Sequence, residues 1–129
     1  MKAPDLTDLD AAGVHAWSGA VEPLRHAAAH AHLAFAPVDL THAKDRAGLF
    51  AALDRDLGLP EHFGHNWDAL ADVLEDRDWL GKSGRVIAFT GSGAYRKAHA
   101  TDWSTLEDIL QEASEFWKER HVAFWIFAG

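Results

Sequence analysis

The stretch HVAFWIFAG, residues 121–129, decides which fold class this chain can adopt. It is apolar almost without interruption, whereas a strand with one face in water alternates apolar and polar residues. A strand without a polar face has to be covered on both sides, which is typical of a parallel sheet packed with helices. This segment therefore predicts a parallel sheet in an α/β protein.

Two further strands are predicted upstream. RVIAFTG (85–91) is short and rich in β-branched and aromatic residues, and LAFAPVDL (33–40) is similar. Pro37 confines the second of these to an edge or an irregular strand, because proline cannot donate to the sheet. Together with the predicted helices, the order is strand, helix, helix, strand, helix, strand, which indicates an α/β layer protein.

Helices are predicted between these strands. RAGLFAALDRDLG (46–58) has one apolar face and ends at a glycine. STLEDILQEASEFWKER (104–120) has a buried stripe, and Ser104 with Glu107 would form a capping box at its start. The intervening TGSGAYRK (90–97) lacks the spacing of a phosphate-binding loop and is predicted to be a turn.

The amino-terminal 32 residues form a separate pattern. GVHAW (13–17) is a possible extra strand, and VEPLRHAAAHAH (21–32) is a predicted short helix. We expect this unit to extend or cover the sheet. The length of 129 residues suits one domain, with residues 1–32 as an extension packed on a core of residues 33–129.

Composition limits the classes of function. The chain has no cysteine, which excludes a disulfide framework and a thiolate metal site. Its amino terminus carries acids where a secretion signal has an apolar region, and no apolar run approaches the ~18 residues of a membrane span, so a cytoplasmic protein is expected. A net charge of −8 disfavours binding to nucleic acid and favours a cationic partner.

The segment NWDALADVLED (66–76) concentrates this acidity. Asn66 is a good N-cap, and a helix from 67 to about 76 would place Asp68, Asp72, Glu75 and Asp76 opposite an apolar face. Like charges one turn apart destabilise a helix by about 0.2–0.5 kcal/mol per pair. Asp72 is explained worst by local stability, because it lies beyond the first turn, where the helix dipole favours acids.

The block LGLPEHFGHNWDALADVL (57–74) resembles the barstar family, intracellular protein inhibitors of guanyl-preferring ribonucleases such as barnase. The resemblance rests on Leu59-Pro60-Glu61, Phe63-Gly64 and the spacing Asn66-x-Asp68-Ala69-Leu70-x-Asp72-x-Leu74. It continues more weakly through 85–91, around Ile109-Leu110-Gln111 and into the last strand, and it leaves the first 32 residues unmatched.

This resemblance implies a three-stranded parallel sheet of order 1-2-3 and an inhibitor without catalysis or cofactor. The acidic helix and the loop before it would plug the active site of a basic ribonuclease at about one to one. Asp72 matches the carboxylate that replaces the substrate phosphate, Asp68 the acid one turn earlier, and His62 a loop aromatic. Further partner-binding positions implied by the match are Phe63, Gly64, Asn66, Ala71, Glu75, Asp76, Trp79 and Glu115.

Among these, Trp79 is assigned as a loop tryptophan, as is Trp103, which is not part of the implied interface. Ala71 and His65 stand where the best-known family member has a contacting tryptophan and an acid.

Two other interpretations of the acidic helix remain open from the residues themselves. His62, His65, Asp68 and Asp72 offer nitrogen and oxygen ligands, so a metal-dependent hydrolase is an alternative function, although no HExxH spacing is present. The acids could also form only a solvated helix face.

Overall fold

The computed structural model describes residues 2–129, which form one parallel sheet with helices on both faces. The strands are β1 (Val14–Ala16), β2 (Ala34–Asp39), β3 (Arg85–Thr90) and β4 (Phe124–Ala128). The helices are α1 (Glu22–His30), α2 (Arg46–Leu57), α3 (Trp67–Leu74), α4 (Arg77–Leu80), α5 (Gly93–Ala98) and α6 (Ala100–Lys118). None of the helices in this range combines the length and apolarity that crossing a bilayer requires.

The sheet has the order β1-β4-β3-β2, and every neighbouring pair is parallel. The prediction of a parallel α/β fold is confirmed, and the sheet of three strands is corrected to four. β1 joins the free edge of β4, where Trp17 N–H donates to the Ala128 carbonyl and Ile126 N–H donates to the Gly13 carbonyl, both at 2.9 Å. The extra strand and helix predicted in the first 32 residues are present as β1 and α1.

All five residues of β4 are buried, and alternate side chains enter two separate apolar clusters. Phe124 and Ile126 pack into the cluster formed with α2, α3 and α6. Trp125 and Phe127 pack into a second cluster on the other face, formed with the amino-terminal residues. Because neither face of β4 meets water, its sequence has no polar alternation.

The opposite edge of the sheet is poorly suited to pairing with a further strand. β2 is an edge strand, as Pro37 predicts, and proline offers no N–H to a neighbour. At the end of the same strand, the N–H of Asp39 donates to Oδ2 of Asp56 at 2.9 Å. These features reduce the unpaired donors that make an exposed edge prone to association.

The region between β3 and the long helix differs from the sequence prediction. α6 begins at Ala100, so Ser104 and Glu107 lie within the helix and form no capping box. Asp102 accounts for the earlier start, because it lies in the first turn and accepts hydrogen bonds from Arg46 Nη2 at 2.9 Å and from the Tyr95 hydroxyl at 3.3 Å.

Two related assignments are also corrected. The segment predicted to be only a turn contains α5, whose Tyr95 is buried. Trp103 is a buried residue of α6 rather than a loop residue.

A core substitution in α1 tests whether the amino-terminal unit is part of the cooperative fold. Leu24 is fully buried against the second face of the sheet. We expect Leu24→Ala to lower the free energy of unfolding by about 2–5 kcal/mol, because it leaves a cavity. The exposed His26 on the same helix serves as control, with His26→Ala expected to stay within about 0.5 kcal/mol in urea melts. Equal effects of the two substitutions on the free energy of unfolding would contradict the prediction that α1 is part of the cooperative fold.

Candidate functional site

The acidic helix α3 is set in place by its cap and by its apolar face. The Asn66 side chain accepts a hydrogen bond from the Ala69 N–H at 2.8 Å and donates to the Gly64 carbonyl at 3.1 Å. The predicted N-cap is thus confirmed, and it also fixes the loop that precedes the helix. Leu70 and Leu74 are fully buried, which leaves the acids on the outer side.

The helix ends earlier than predicted. Its last residue is Leu74, and Asp76 is the N-cap of α4, accepting a hydrogen bond from the Asp78 N–H at 2.9 Å. The predicted helix to about residue 76 is therefore corrected to two helices. The cause is local, since an aspartate that caps a new helix has to leave the helical conformation of the previous one.

The loop of residues 58–66 is anchored by aromatic residues at its centre. Phe63 is buried and contacts Phe50 edge-on, with 6.0 Å between ring centroids. His65 has a left-handed φ of 49°, and its Nε2 lies 3.2 Å from Oδ2 of Asp54. His62 is left exposed.

Loop and helix enclose a cleft of about 250 Å³. Its apolar lining comes from the loop and from the partly buried side of α3, and Asp72, Asp76 and His62 supply its polar groups. The arrangement can accept a cationic group next to two carboxylates. The residues that line it are Pro60, His62, Phe63, Gly64, Ala69, Asp72, Val73 and Asp76.

Glu75 shows that the carboxylates on this surface act on one another. Partial burial raises the pKa of Glu75 above its ordinary value, and the charges of Glu112 and Asp72 raise it further, against a smaller lowering by Arg120. Glu112 lies on α6, which packs against α3. Glu112 is not among the predicted contact residues, although its position three residues before Glu115 places both on one side of a helix.

The other predicted contact residues lie outside the cleft. Asp68 is exposed in the first turn of α3, and Ala71 is partly exposed in the same helix. Glu115 is exposed on α6, where its Oε1 accepts a hydrogen bond from Gln111 Nε2 at 3.2 Å. Trp79 lies in α4 rather than in a loop, is partly buried, and donates its indole N–H to the Leu57 carbonyl at 3.1 Å.

The ligand set of the alternative, a metal-dependent hydrolase, does not assemble. Within residues 2–129 no three histidine, aspartate or glutamate side chains come together as a group that could hold a metal ion. His65 contacts Asp54 of α2 instead of joining His62, Asp68 and Asp72.

Removing the Glu75 charge should stabilise the fold at neutral pH. Because the pKa of Glu75 is raised in the folded state, its ionised form costs stability above that pKa. We expect Glu75→Gln to raise the free energy of unfolding by about 0.5 kcal/mol at pH 7. The gain should disappear as the pH falls from the raised pKa to below the ordinary value of 4.5.

Urea melts across this pH range measure the effect, and Glu112→Gln provides a matched comparison. If the two carboxylates repel each other, the double substitution should gain less than the sum of the single ones. A loss of stability in Glu75→Gln at pH 7 would contradict the repulsion.

Comparison with known proteins gives one family match. The family model described as "Barstar (barnase inhibitor)" matches residues 33–129, which include β2 to β4, the loop of residues 58–66 and the acidic helix. No curated protein sequence matches the chain. β1 and α1 lie outside the matched residues. Since the match spans well over half of the sequence, the chain belongs to the barstar family.

Proposed function

We propose that this protein inhibits a barnase-like ribonuclease by covering its active site with α3 and the loop of residues 58–66. The observation that carries the proposal is the position of Asp72. Its carboxylate is exposed beside a cleft, on a helix whose other side is fixed in the core by Leu70 and Leu74. An acid held rigidly at a concave surface is suited to replace a substrate phosphate among cationic side chains.

The remaining residues take roles that follow from their positions. Asp68 and Asp76 flank Asp72 with further negative charge, and His62 supplies a ring at the rim of the cleft. Phe63, Gly64 and Asn66 shape the loop. Ala71, Glu75, Trp79 and Glu115 complete the contact surface in this proposal.

The partner in this proposal is a basic ribonuclease, bound at about one to one in the cytoplasm without a cofactor. The net charge of −8 supports a basic partner, because opposite fields accelerate encounter. The effect of Glu112 and Asp72 on Glu75 supports it as well, since a cation placed beside these carboxylates would lower the raised pKa of Glu75.

Inhibition and catalysis can be separated with the purified protein. We expect it to abolish the activity of a barnase-like ribonuclease at about one equivalent. We also expect no nuclease or phosphatase turnover with Mg²⁺, Mn²⁺ or Zn²⁺, which titrations against RNA and a phosphomonoester would measure. Metal-dependent turnover that is lost in His62→Ala or Asp72→Ala would favour the hydrolase instead.

Asp72 should matter for binding and not for folding. Asp72→Ala removes repulsion from Asp68 and Glu75 and adds a strong helix former, so the free energy of unfolding should be unchanged or rise by about 0.5–1 kcal/mol. Binding should weaken by at least about 2–5 kcal/mol, the cost typical of truncating one partner of a buried charge pair in a protein complex. This range is a thirtyfold to several-thousandfold loss of affinity.

Two variants serve as comparisons in the same urea melts and inhibition titrations. Asp68→Ala should weaken binding and also cost about 0.5 kcal/mol of stability, because it removes a first-turn acid. Asp8→Ala, an exposed aspartate in the amino-terminal unit, should change neither. An Asp72→Ala variant that unfolds while its folded fraction inhibits fully would show that the acid is structural.

A further inference from the structure

One arginine is partly buried without an acidic partner. Arg85 begins β3, and within residues 2–129 no carboxylate oxygen lies within 4.0 Å of its guanidinium nitrogens. Burial lowers the pKa of Arg85, yet a guanidinium remains charged in proteins. A partly buried cation is costly unless its N–H groups find acceptors, so its position in a chain with 20 acids requires a physical reason.

The acceptors are two backbone carbonyls in the last turns of two different helices. Arg85 Nη1 donates to the Leu57 carbonyl and Nη2 donates to the Trp79 carbonyl, each at 3.3 Å. Leu57 is the last residue of α2, and Trp79 lies in the single turn of α4. Carbonyls at helix ends lack partners within the helix and carry partial negative charge, so a cation there satisfies both helices.

Trp79 completes the contact. The guanidinium carbon of Arg85 lies 4.2 Å from the centroid of a Trp79 ring, and the indole N–H of Trp79 donates to the same Leu57 carbonyl at 3.1 Å. Two donors from different elements therefore converge on the last carbonyl before the loop. Arg85 Nε has no hydrogen-bond partner in the described chain, so the two carbonyls are the acceptors that the guanidinium has there.

These two carbonyls mark the ends of the segment that carries the proposed interface. The chain leaves α2 at Leu57, passes through residues 58–78 and returns at Trp79. Residues 58–78 contain every proposed contact residue except Trp79 and Glu115. We propose that Arg85 is a positioning residue that fixes both ends of this segment and so holds the loop and α3 in their binding geometry.

This role rests on the proposed function only for its effect on inhibition. The rigidity of residues 58–78 is a property of the free protein and can be measured without a ribonuclease. A lysine at position 85 would keep the positive charge, but its single ammonium group lacks the planar pair of N–H donors that contacts both carbonyls. A methionine there would keep only the apolar part of the side chain.

The test compares Arg85→Met with Arg25→Met. Arg25 lies on α1 across the sheet, pairs with Glu22 at 3.3 Å and stands 4.6 Å from the Phe35 ring centroid. Both substitutions remove one positive charge and one cation–π contact, so they are matched in net charge. Amide hydrogen exchange of the folded variants and inhibition of a barnase-like ribonuclease are measured in parallel.

We expect Arg85→Met to speed exchange within residues 58–80 about tenfold or more, a factor that corresponds to about 1.4 kcal/mol. Inhibition should weaken by a similar factor, with Arg85→Lys between the wild type and Arg85→Met. Arg25→Met should leave both measurements in this segment unchanged. If Arg85→Met does not fold, Trp79→Phe, which removes the indole N–H together with the pyrrole ring and keeps one aromatic ring, should give a smaller increase of exchange in the same segment.

Unchanged exchange in residues 58–80 would overturn the positioning role, and so would an increase spread evenly over the chain. Faster exchange confined to residues 58–80 in Arg85→Met, with unchanged inhibition, would overturn the proposed effect of Arg85 on binding. If the wild type inhibits no barnase-like ribonuclease, the proposed function fails, while the exchange comparison still decides whether Arg85 holds the segment.

Discussion

The burial of β4 on both faces is the constraint on which the rest of this structure depends. A strand with the sequence FWIFA offers no side to water, so the sheet requires one apolar cover on each face. α2, α3 and α6 supply one cover, and the amino-terminal residues supply the other, including Trp17, Leu24 and Ala28. The second cover lies outside the residues that match the family model, yet Trp125 and Phe127 would be exposed without it.

The same packing permits an acidic surface that would be unfavourable on an isolated helix. α3 has only two turns, and short isolated helices are marginal in water even without like-charge repulsion. Leu70 and Leu74 in the core and the Asn66 cap offset that cost. The energy of core burial thus holds Asp68, Asp72 and Glu75 on one side of the chain despite the repulsion between like charges.

The loop before α3 is anchored at three places without regular structure. Phe63 anchors its middle in the core, Asn66 fixes its end to the helix, and Arg85 with Trp79 holds its beginning at Leu57. A surface whose geometry is fixed before binding loses less conformational entropy when a partner arrives. Arg85 bears a desolvation cost for this, which the helix-end carbonyls offset in part.

The sequence by itself determined the fold class, the positions of the three core strands and the acidic helix, and its N-cap. These features depend on apolar periodicity and on capping chemistry, which act between residues close in the chain. The errors of the sequence prediction had both local and long-range causes. The spacing of Ser104 and Glu107 is that of a capping box, but the same spacing can occur inside a helix, as it does here. The start of α6 depends instead on Asp102, whose partner Arg46 is distant in sequence.

Only the tertiary structure decided what lies between elements. It placed β1 beside β4, brought Glu112 next to Glu75, separated His65 from the other candidate metal ligands, and set Arg85 against the Leu57 and Trp79 carbonyls. No periodicity encodes these contacts, because they join residues from elements that meet only when the sheet forms. The acidity of the α3 surface could therefore be predicted from the sequence, whereas the contacts between elements that fix its position could not.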